Sequence, residues 1–274
     1  MQTLAPLLTL SLHEALLAAR NSQAITVACT LDLGRSMTTV EPGLTEWRWH
    51  ERAFPYLDSC KDRTIYYWAE HAGFQPAARF TTALVKLVPT EWGPPTFEID
   101  GVKMLPTARV SPYADAQRKV GLIQAAGKTI LDSCGGLGYF AAWCLHDQAL
   151  RVHSYERSAD VIWLRSLNPW SPVTNTVLTL TQADIGEAIG QHADQSFDAI
   201  LHDPPRFSLA GELYSQRFYA QLARVLKRRG KLFHYTGAPN KVSRGRDLAG
   251  EVTMRLRRAG FSTELNGDGV LAVR

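Results

Sequence analysis

The amino-acid sequence predicts an α/β protein in which a doubly wound sheet ends in a C-terminal antiparallel hairpin and follows a small β-rich domain. Strand and helix patterns alternate from Gln117 onward, and this alternation predicts a parallel sheet with helical crossovers. Short β patterns separated by Gly and Pro turns fill the earlier part of the chain and predict the β-rich domain. We therefore divide the chain into residues 1–105 and residues 106–274.

The composition is that of an ordinary globular protein. The 274 residues are 45% hydrophobic and 20% charged. The opening stretch lacks a basic start, and His13 and Glu14 interrupt its apolar run, so we expect neither a signal peptide nor a membrane partner. The four cysteines show no metal-ligand spacing, so we expect them to be free thiols of a cytosolic protein and expect no metal site: Cys29, Cys60, Cys134 and Cys144. These features predict a cytoplasmic protein.

Positive charge collects late in the chain. Residues 1–100 hold 8 basic and 11 acidic side chains, whereas residues 101–274 hold 22 and 15. Twelve of the basic residues fall within residues 217–258, where only Asp247 and Glu251 are acidic. This stretch predicts either an anionic partner such as RNA or two solvated helix faces. Aromatic residues do not interleave with the charges, which favours the solvated faces.

The first domain begins with a helix and continues in strands. Ser11 and Glu14 match the S/T-x-x-E capping box, which predicts a helix at about 11–20. Its predicted buried face consists of Leu12, Ala15, Leu16 and Ala19. Turn signals such as Pro42-Gly43 separate the β patterns that follow. These patterns lie at 25–33, 44–51, 64–70, 78–88 and 96–105.

The second domain shows both periodicities in alternation. Recurrence of apolar residues every three or four positions predicts helices at about 113–126, 138–147, 158–167, 211–227 and 245–259. Short apolar runs predict strands at 128–132, 151–156, 177–182, 197–202 and 231–236. Near the end, the turn residues 266–269 separate two short β runs, which predicts the closing hairpin.

A glycine-rich turn joins the first strand of the predicted sheet to the following helix. The strand ends at Asp132, and the turn contains Gly135, Gly136 and Gly138. Such a turn lets the backbone approach a nucleotide-like ligand at a helix amino end. Glu156 ends the next strand, where a carboxylate can accept both hydroxyls of a ribose. A dinucleotide remains an alternative, since Ala is permitted where Ala141 stands, but the pattern excludes a Walker A loop.

These residues resemble the class I S-adenosylmethionine-dependent methyltransferases, which have a Rossmann-like fold and a D-x-G-x-G-x-G turn after the first strand. The match runs from Asp132 to Gly138 with Cys134 in place of the first glycine. The resemblance implies that S-adenosylmethionine is the cofactor and Glu156 its ribose ligand. It also implies an adenine-side role for Asp184, for which a helix N-cap is the alternative. The implied cofactor residues are Asp132, Cys134, Gly136, Gly138, Glu156, Asp184 and, in a lid segment, Tyr113.

The fourth strand of the predicted sheet is followed by Asp203-Pro204-Pro205-Arg206. This segment resembles the [D/N]-P-P-[Y/F/W] motif of methyltransferases that act on amino nitrogens, with Arg206 in place of the aromatic residue and Phe207 one position later. The resemblance implies that Asp203 and the adjoining Pro204 carbonyl accept hydrogen bonds from the target NH2 group. Cytosine-C5 methyltransferases carry a similar stretch but need a cysteine after the next strand, where this chain has none.

Two histidines end neighbouring predicted strands beside these residues. His202 precedes Asp203, and His234 precedes Tyr235. A histidine here would orient or deprotonate a substrate, or form structural hydrogen bonds. The predicted catalytic residues are therefore Asp203, Pro204, His202 and Tyr235.

Longer stretches, including SPYADAQRKV at 111–120 and LNPWS at 167–171, are similar to a little-characterised group of predicted methyltransferases best known from archaea. This similarity does not indicate the substrate. The resemblance of Asp203-Pro204-Pro205 to the amino-nitrogen motif favours methylation of a nitrogen, on an acceptor that is a small molecule or RNA. The alternatives are an aminopropyltransferase, which would use decarboxylated S-adenosylmethionine, and a non-catalytic binding module. The sequence leaves the acceptor and the oligomeric state open.

Overall fold

The computed structural model describes residues 5–237 and 247–274. The chain forms two compact units. The first unit consists of Met1–Tyr113 and Trp163–Trp170, and the second consists of Ala114–Ile162 and Ser171–Arg274. The predicted division into separate domains at residue 105 stays a prediction.

Among the described residues, the first unit contains one complete helix and eleven short strands. The helix is α1 (Leu10–Asn21). The strands are β1 (Leu7–Leu8), β2 (Val27–Cys29), β3 (Thr38–Pro42), β4 (Glu46–Trp49), β5 (Arg52–Pro55), β6 (Tyr66–Ala69), β7 (Gly73–Pro76), β8 (Ala78–Phe80), β9 (Leu84–Val88), β10 (Thr96–Ile99) and β11 (Val102–Lys103). They form small antiparallel sheets ordered β1-β6-β7, β2-β3-β4-β5 and β11-β10-β9-β8. Trp47 and Phe54 stack at the centre of the unit's apolar core.

The start of α1 differs from the prediction. Thr9, rather than Ser11, is the N-cap, and its hydroxyl accepts a hydrogen bond from the backbone N–H of Leu12. Because the cap lies two residues earlier, the first helical turn also starts earlier. The buried face includes His13, while Ala15 is exposed.

Two of the predicted β runs each form a hairpin rather than one strand. The run at 78–88 divides into β8 and β9, which pair with each other. The run at 96–105 divides into β10 and β11 around Asp100 and Gly101, both at positive φ. Side-chain alternation continues across such tight turns, so the sequence pattern does not reveal the reversal.

The second unit contains the larger sheet. Its strands are β12 (Thr129–Asp132), β13 (Arg151–Glu156), β14 (Leu178–Gln182), β15 (Phe197–His202), β16 (Leu226–Tyr235), β17 (Ser262–Asn266) and β18 (Gly269–Val273). The α-helices are α2 (Pro112–Ile123), α3 (Tyr139–His146), α4 (Ala159–Leu167), α5 (Ile185–Ala188), α6 (Gln216–Val225) and α7 (Leu248–Arg258). Helices α2 and α4 each extend into the first unit. Short 3-10 turns lie at Ile189–Gln191 and Gly211–Tyr214.

The sheet order is β14-β13-β12-β15-β16-β18-β17. The first five strands in this order pair in parallel, and β18 pairs antiparallel with both β16 and β17. The sheet is therefore mostly parallel and ends in the predicted antiparallel hairpin, which confirms the predicted fold class. The carboxyl ends of β12, β13 and β15 meet at one edge, where ligands of open α/β sheets bind.

The region before β16 differs from the prediction of one helix at 211–227. Gly211–Tyr214 is a 3-10 turn, α6 follows as a separate helix, and the chain becomes extended at Leu226. Sheet pairing overrides helix propensity there, because Leu226 pairs with Phe197 of β15. Residues 5–237 and 247–274 contain no helix that is long and apolar enough to cross a bilayer.

Candidate functional site

The glycine-rich turn has the backbone conformation that its sequence predicts. β12 ends at the fully buried Asp132, and α3 begins at Tyr139. Gly136 and Gly138 have φ values of 49° and 81°, in the left-handed region that favours glycine. The N–H of Gly135 donates to the carbonyl of Tyr155 at 2.6 Å and so ties the turn to β13.

Glu156 lies beside this turn at the end of β13. Its Oε2 accepts a hydrogen bond from the N–H of Gly136 at 3.0 Å, and its Oε1 accepts one from the N–H of Ser158 at 2.8 Å. These two contacts fix the carboxylate next to the glycines. A carboxylate at this point of an α/β sheet can bind the hydroxyls of a ribose. The residues present therefore fit the nucleoside part of S-adenosylmethionine.

Asp132 and Cys134 flank the beginning of the turn. Asp132 Oδ2 accepts a hydrogen bond from the hydroxyl of Ser154 at 2.8 Å. Burial raises the pKa of the Cys134 thiol well above its usual value, and the carboxylates of Glu156, Asp132 and Asp203 add to the rise. The thiol is therefore protonated at neutral pH and is a poor nucleophile.

Asp184 and Tyr113 have other local partners. Asp184 is the N-cap of α5, where its Oδ1 accepts a hydrogen bond from the N–H of Gly186 at 2.8 Å. Its Oδ2 lies 3.4 Å from a guanidinium nitrogen of Arg157. The N-cap alternative therefore describes the observed contact. Tyr113 belongs to the first unit, where its ring centroid lies 5.2 Å from that of Trp170.

Asp203-Pro204-Pro205 follows β15 at the same sheet edge. The hydroxyl of Tyr214 donates to the carbonyl of Pro205 at 3.0 Å, which anchors this backbone. Burial raises the pKa of the Asp203 carboxyl, although the Lys119 ammonium opposes that rise. Arg206 is exposed, and the ring of Phe207 lies 5.4 Å from that of Tyr214 in an edge-on contact.

Lys119 lies beside Asp203, although no sequence motif marks it as a site residue. Its side chain is 1% exposed, and its Nζ lies 2.7 Å from Asp115 Oδ2 and 3.5 Å from Asp203 Oδ2. Asp268, in the turn between β17 and β18, lies 3.9 Å away. Arg118 contacts Asp115 at 3.0 Å and Asp268 at 2.5 Å. We call these residues (Asp115, Arg118, Lys119, Asp203 and Asp268) the Lys119 cluster.

One sequence signal points to part of this cluster. Arg118 and Lys119 follow Asp115 at helical spacings of three and four, which places the three side chains next to each other on α2. Lys119 also lies in the row of buried positions between Ala116 and Ile123. A lysine at an apolar position of a helix needs buried partners, but the sequence does not indicate which residues supply them.

His202 is fully buried, and both of its ring nitrogens bind the protein. Its Nε2 donates to the carbonyl of Leu213 at 3.1 Å, so its Nδ1 accepts the Ser133 hydroxyl at 2.7 Å. Burial lowers the pKa of His202 to about 4, so the ring is neutral at pH 7. These contacts favour the structural alternative for His202.

His234 is also fully buried. Its Nδ1 donates to the carbonyl of Tyr235, and its Nε2 accepts the Tyr219 hydroxyl at 2.8 Å. The Tyr235 ring instead lies next to Lys119, whose Nζ is 4.0 Å from the ring centroid. Burial raises the pKa of Tyr235 to about 12. The Tyr235 ring therefore contacts the Lys119 cluster, whereas the ring nitrogens of both histidines bind other groups.

Three of the nine described basic residues in the stretch 217–258 form ion pairs with acidic side chains. Arg224 pairs with Asp194, Lys227 with Asp198 and Arg255 with Glu251. Lys227 lies near the amino end of β16, opposite the edge that carries Asp203. Lys241, Arg244 and Arg246 of the same stretch lie outside the described residues.

Comparisons with known proteins agree with this geometry. Residues 151–262 match a family described as S-adenosyl-L-methionine-dependent methyltransferase. An uncharacterized protein of Methanocaldococcus jannaschii is 36% identical over 250 residues, which cover 88% of this chain and 86% of that protein.

Two solved structures share the fold. A spermidine synthase in complex with the transition state analogue AdoDATO has a TM-score of 0.59 at 17% identity, and the alignment covers 71% of each chain. Spermidine synthase from Thermotoga maritima has a TM-score of 0.57 at 16% identity, with 71% of this chain and 70% of that chain covered. The family match, the glycine-rich turn and the oriented Glu156 carboxylate lead to one assignment. The chain belongs to the S-adenosyl-L-methionine-dependent methyltransferase family, and its cofactor is S-adenosyl-L-methionine.

Proposed function

We propose that the protein methylates a nitrogen atom of a small-molecule acceptor. The observation that carries the proposal is the position of Asp203-Pro204-Pro205 at the sheet edge that also holds the glycine-rich turn and Glu156. S-adenosyl-L-methionine supplies a methyl group activated by its sulfonium. What the protein must add is alignment of the acceptor nitrogen and exclusion of water.

Asp203 and the backbone after it would align the acceptor. The Asp203 carboxylate accepts a hydrogen bond from the acceptor NH2 group, and the adjoining Pro204 carbonyl accepts another. Tyr214 supports this backbone through its hydrogen bond to Pro205. Neither His202 nor His234 acts as the base in this proposal, because both rings are buried and bound to other protein groups.

Three ion pairs in the basic stretch support a small molecule over RNA. The basic side chains of Arg224, Lys227 and Arg255 are paired with acids of the same chain, so they offer less charge to phosphates. RNA binding that depends on phosphate contacts would weaken steeply with salt. Turnover on a small uncharged acceptor should change little between about 50 and 200 mM salt.

Aminopropyl transfer from decarboxylated S-adenosylmethionine is the second candidate, and the fold shared with spermidine synthases favours it. A polyamine acceptor would need acidic residues to hold its ammonium groups. Asp115, Asp203 and Asp268 are such acids, but the Lys119 ammonium already lies among them. This internal cation supports the methyltransferase proposal.

The test uses binding first and transfer second. Calorimetric titration should show tighter binding of S-adenosyl-L-methionine than of its decarboxylated form; the reverse order would favour aminopropyl transfer. The enzyme is then incubated with methyl-13C-labelled cofactor and either the RNA or the small-molecule fraction of a cell extract. The 13C spectrum of the product distinguishes a methyl group on nitrogen from one on oxygen or carbon.

The Asp203→Ala variant tests the site, because alanine removes the hydrogen-bond acceptor that asparagine would keep. We expect kcat to fall at least tenfold, about 1.4 kcal/mol in the barrier, with unchanged affinity for the cofactor. Asp194→Ala is the matched control, because Asp194 pairs with Arg224 on the surface. Full activity of Asp203→Ala, or label only on oxygen or carbon, would overturn the proposal.

A further inference from the structure

Lys119 is an unusual residue because the side chain of a lysine is rarely fully buried unless its ammonium group is paired. Its Nζ is in contact with two carboxylates, Asp115 at 2.7 Å and Asp203 at 3.5 Å, and it lies over the Tyr235 ring at 4.0 Å. Helix α2 therefore delivers a positive charge to the residue that follows β15. Nothing in the cofactor-binding turn requires a cation at this place.

Within the part of the chain that the structure describes, the groups around Asp203 come from several elements. Helix α2 contributes Asp115, Arg118 and Lys119, and the hairpin turn contributes Asp268. The tyrosines are Tyr235 of β16 and Tyr214 of the 3-10 turn, and the glycine-rich turn contributes Cys134. Asp115 and Asp268 disfavour a charge on Asp203, and Lys119 favours it. Among these described groups, Lys119 is the cation in direct contact with Asp203.

We propose that Lys119 is a positioning residue: its buried ammonium keeps the Asp203 carboxylate ionised and aimed at the acceptor nitrogen. This inference rests on the proposed function, because it assigns Asp203 to the acceptor. An ionised carboxylate accepts hydrogen bonds through both oxygens, whereas a protonated one loses part of that capacity. Removing the ammonium would leave three neighbouring carboxylates without their central cation, and the proton that they bind in its place would disturb Asp203.

The direct test needs no acceptor. Protein labelled with 13C at the aspartate carboxyl carbon is titrated by NMR, and the Asp203 resonance is assigned by its loss in Asp203→Asn. An opposite charge in contact typically shifts a carboxyl pKa by about 1–3 units. Lys119→Gln should therefore raise the pKa of Asp203 by about that amount, and Lys119→Arg should restore most of the difference.

A matched control and a second variant complete the test. Lys227→Gln breaks the partly exposed Lys227–Asp198 pair and should leave the Asp203 titration unchanged. If Lys119→Gln fails to fold, Asp115→Asn replaces it: loss of this neighbouring negative charge should lower the pKa of Asp203. If Lys119→Gln is folded and leaves the pKa of Asp203 unchanged, the inference is overturned. If Lys119→Gln is unfolded, an unchanged pKa of Asp203 in Asp115→Asn overturns it.

Turnover separates this inference from the proposed function. With the acceptor found as described above, Lys119→Gln should lower kcat at neutral pH at least tenfold, move the acidic limb of the pH profile to higher pH and leave cofactor affinity unchanged. Lys119→Arg should recover activity. If Asp203→Ala keeps full activity, the proposed function fails and this inference fails with it. If Asp203→Ala is inactive but the pH profile of Lys119→Gln matches that of wild type, only the role of Lys119 fails.

Discussion

At the scale of single residues, the protein itself holds the Glu156 carboxylate in one orientation. Two backbone N–H groups, from Gly136 and Ser158, bind it at the edge of the sheet. The contact with Gly136 connects the carboxylate to the glycine-rich turn. If Glu156 binds ribose hydroxyls, as the sequence predicts, little side-chain entropy would remain to be lost on binding.

Replacing Glu156 by alanine should weaken binding of S-adenosyl-L-methionine by about 1–3 kcal/mol, because ribose hydroxyls would lose their acceptor. Isothermal titration on the folded variant measures the effect. The control is Glu187→Ala, which removes an exposed glutamate of α5. Wild-type affinity in a folded Glu156→Ala protein would contradict the assignment of Glu156 as a ribose ligand.

The Asp203 carboxylate should lower the free energy of unfolding at neutral pH. Because burial raises its folded-state pKa, the native state binds more protons than the unfolded state between the two pKa values, and stability falls as pH rises through that window. Asp203→Asn should therefore have an equal or higher Tm at pH 7. A gain of about 1 kcal/mol would appear as about 2–4 °C.

Calorimetric scans across a pH series check this expectation. The advantage of Asp203→Asn should shrink as the pH falls toward the ordinary aspartate value of about 3.9, where the wild-type carboxyl is also protonated. A variant that is less stable than wild type at pH 7 and equally so in acid would show that the carboxylate stabilises the fold.

At the scale of elements, β15 and β16 are joined below the site by a pair of neutral histidines. His202 and His234 face each other in register, and their ring centroids lie 4.5 Å apart. Each ring donates one hydrogen bond and accepts another, so the buried polar atoms are satisfied only in the neutral form. The strand pair therefore depends on both rings remaining unprotonated.

Acid should weaken this part of the sheet. The folded-state pKa of His202 is lowered to about 4 and that of His234 well below its usual value, so the unfolded chain binds more protons below about pH 6.5. Each histidine should then reduce the free energy of unfolding by about 1.4 kcal/mol per pH unit below that point, down to its folded-state pKa.

Urea unfolding at pH 7, 6 and 5 measures the slope. His202→Gln should be less stable at pH 7 but should lose less stability on acidification, while the exposed His146→Gln control should behave like wild type. Equal slopes for His202→Gln and wild type would mean that His202 does not cause the acid sensitivity.

At the scale of the whole molecule, the first unit is built from two separate stretches of chain. Residues 163–170 belong to it although they follow β13 of the large sheet. Trp163 lies edge-on to Tyr67 at 5.8 Å, and the Arg79 guanidinium lies 3.7 Å from the Trp163 ring centroid. Trp170 donates its indole N–H to the carbonyl of Leu33 at 3.0 Å.

Trp163→Ala should therefore lower the free energy of unfolding by about 1–3 kcal/mol, through lost aromatic and cation–π contacts. Chemical denaturation measures the change. Trp163→Phe should retain part of the stability because it keeps an aromatic ring, and the exposed Trp92→Ala control should cost less. If alanine at 163 costs no more than alanine at 92, the segment contributes little to the first unit.

The order of strands and helices from residue 113 onward could be predicted because hydrophobic periodicity is a local property of the sequence. The main error of this prediction lay at residues 211–227, where the pairing of Leu226 with β15 decides the structure. The placement of Gly136, Glu156 and Asp203 at one edge of the sheet could also be predicted, because the carboxyl ends of parallel strands meet there. Their roles toward the cofactor and the acceptor stay predictions.

The sequence by itself determined the fold class, the methyltransferase family and the residues at the sheet edge. Each of these depends on short sequence patterns and on the rule that the carboxyl ends of parallel strands lie at the same edge of a sheet. Only the tertiary structure decided the partners of buried polar groups. Lys119 contacts Asp203, which is 84 positions away in the sequence, and Arg118 contacts Asp268, which is 150 positions away. Hydrophobic periodicity carries no information over such sequence separations. The same holds for His202, whose partners Ser133 and Leu213 lie on other segments. Folding selects such contacts because a buried polar group must be paired, and the identity of the partner depends on which segments the completed sheet brings together.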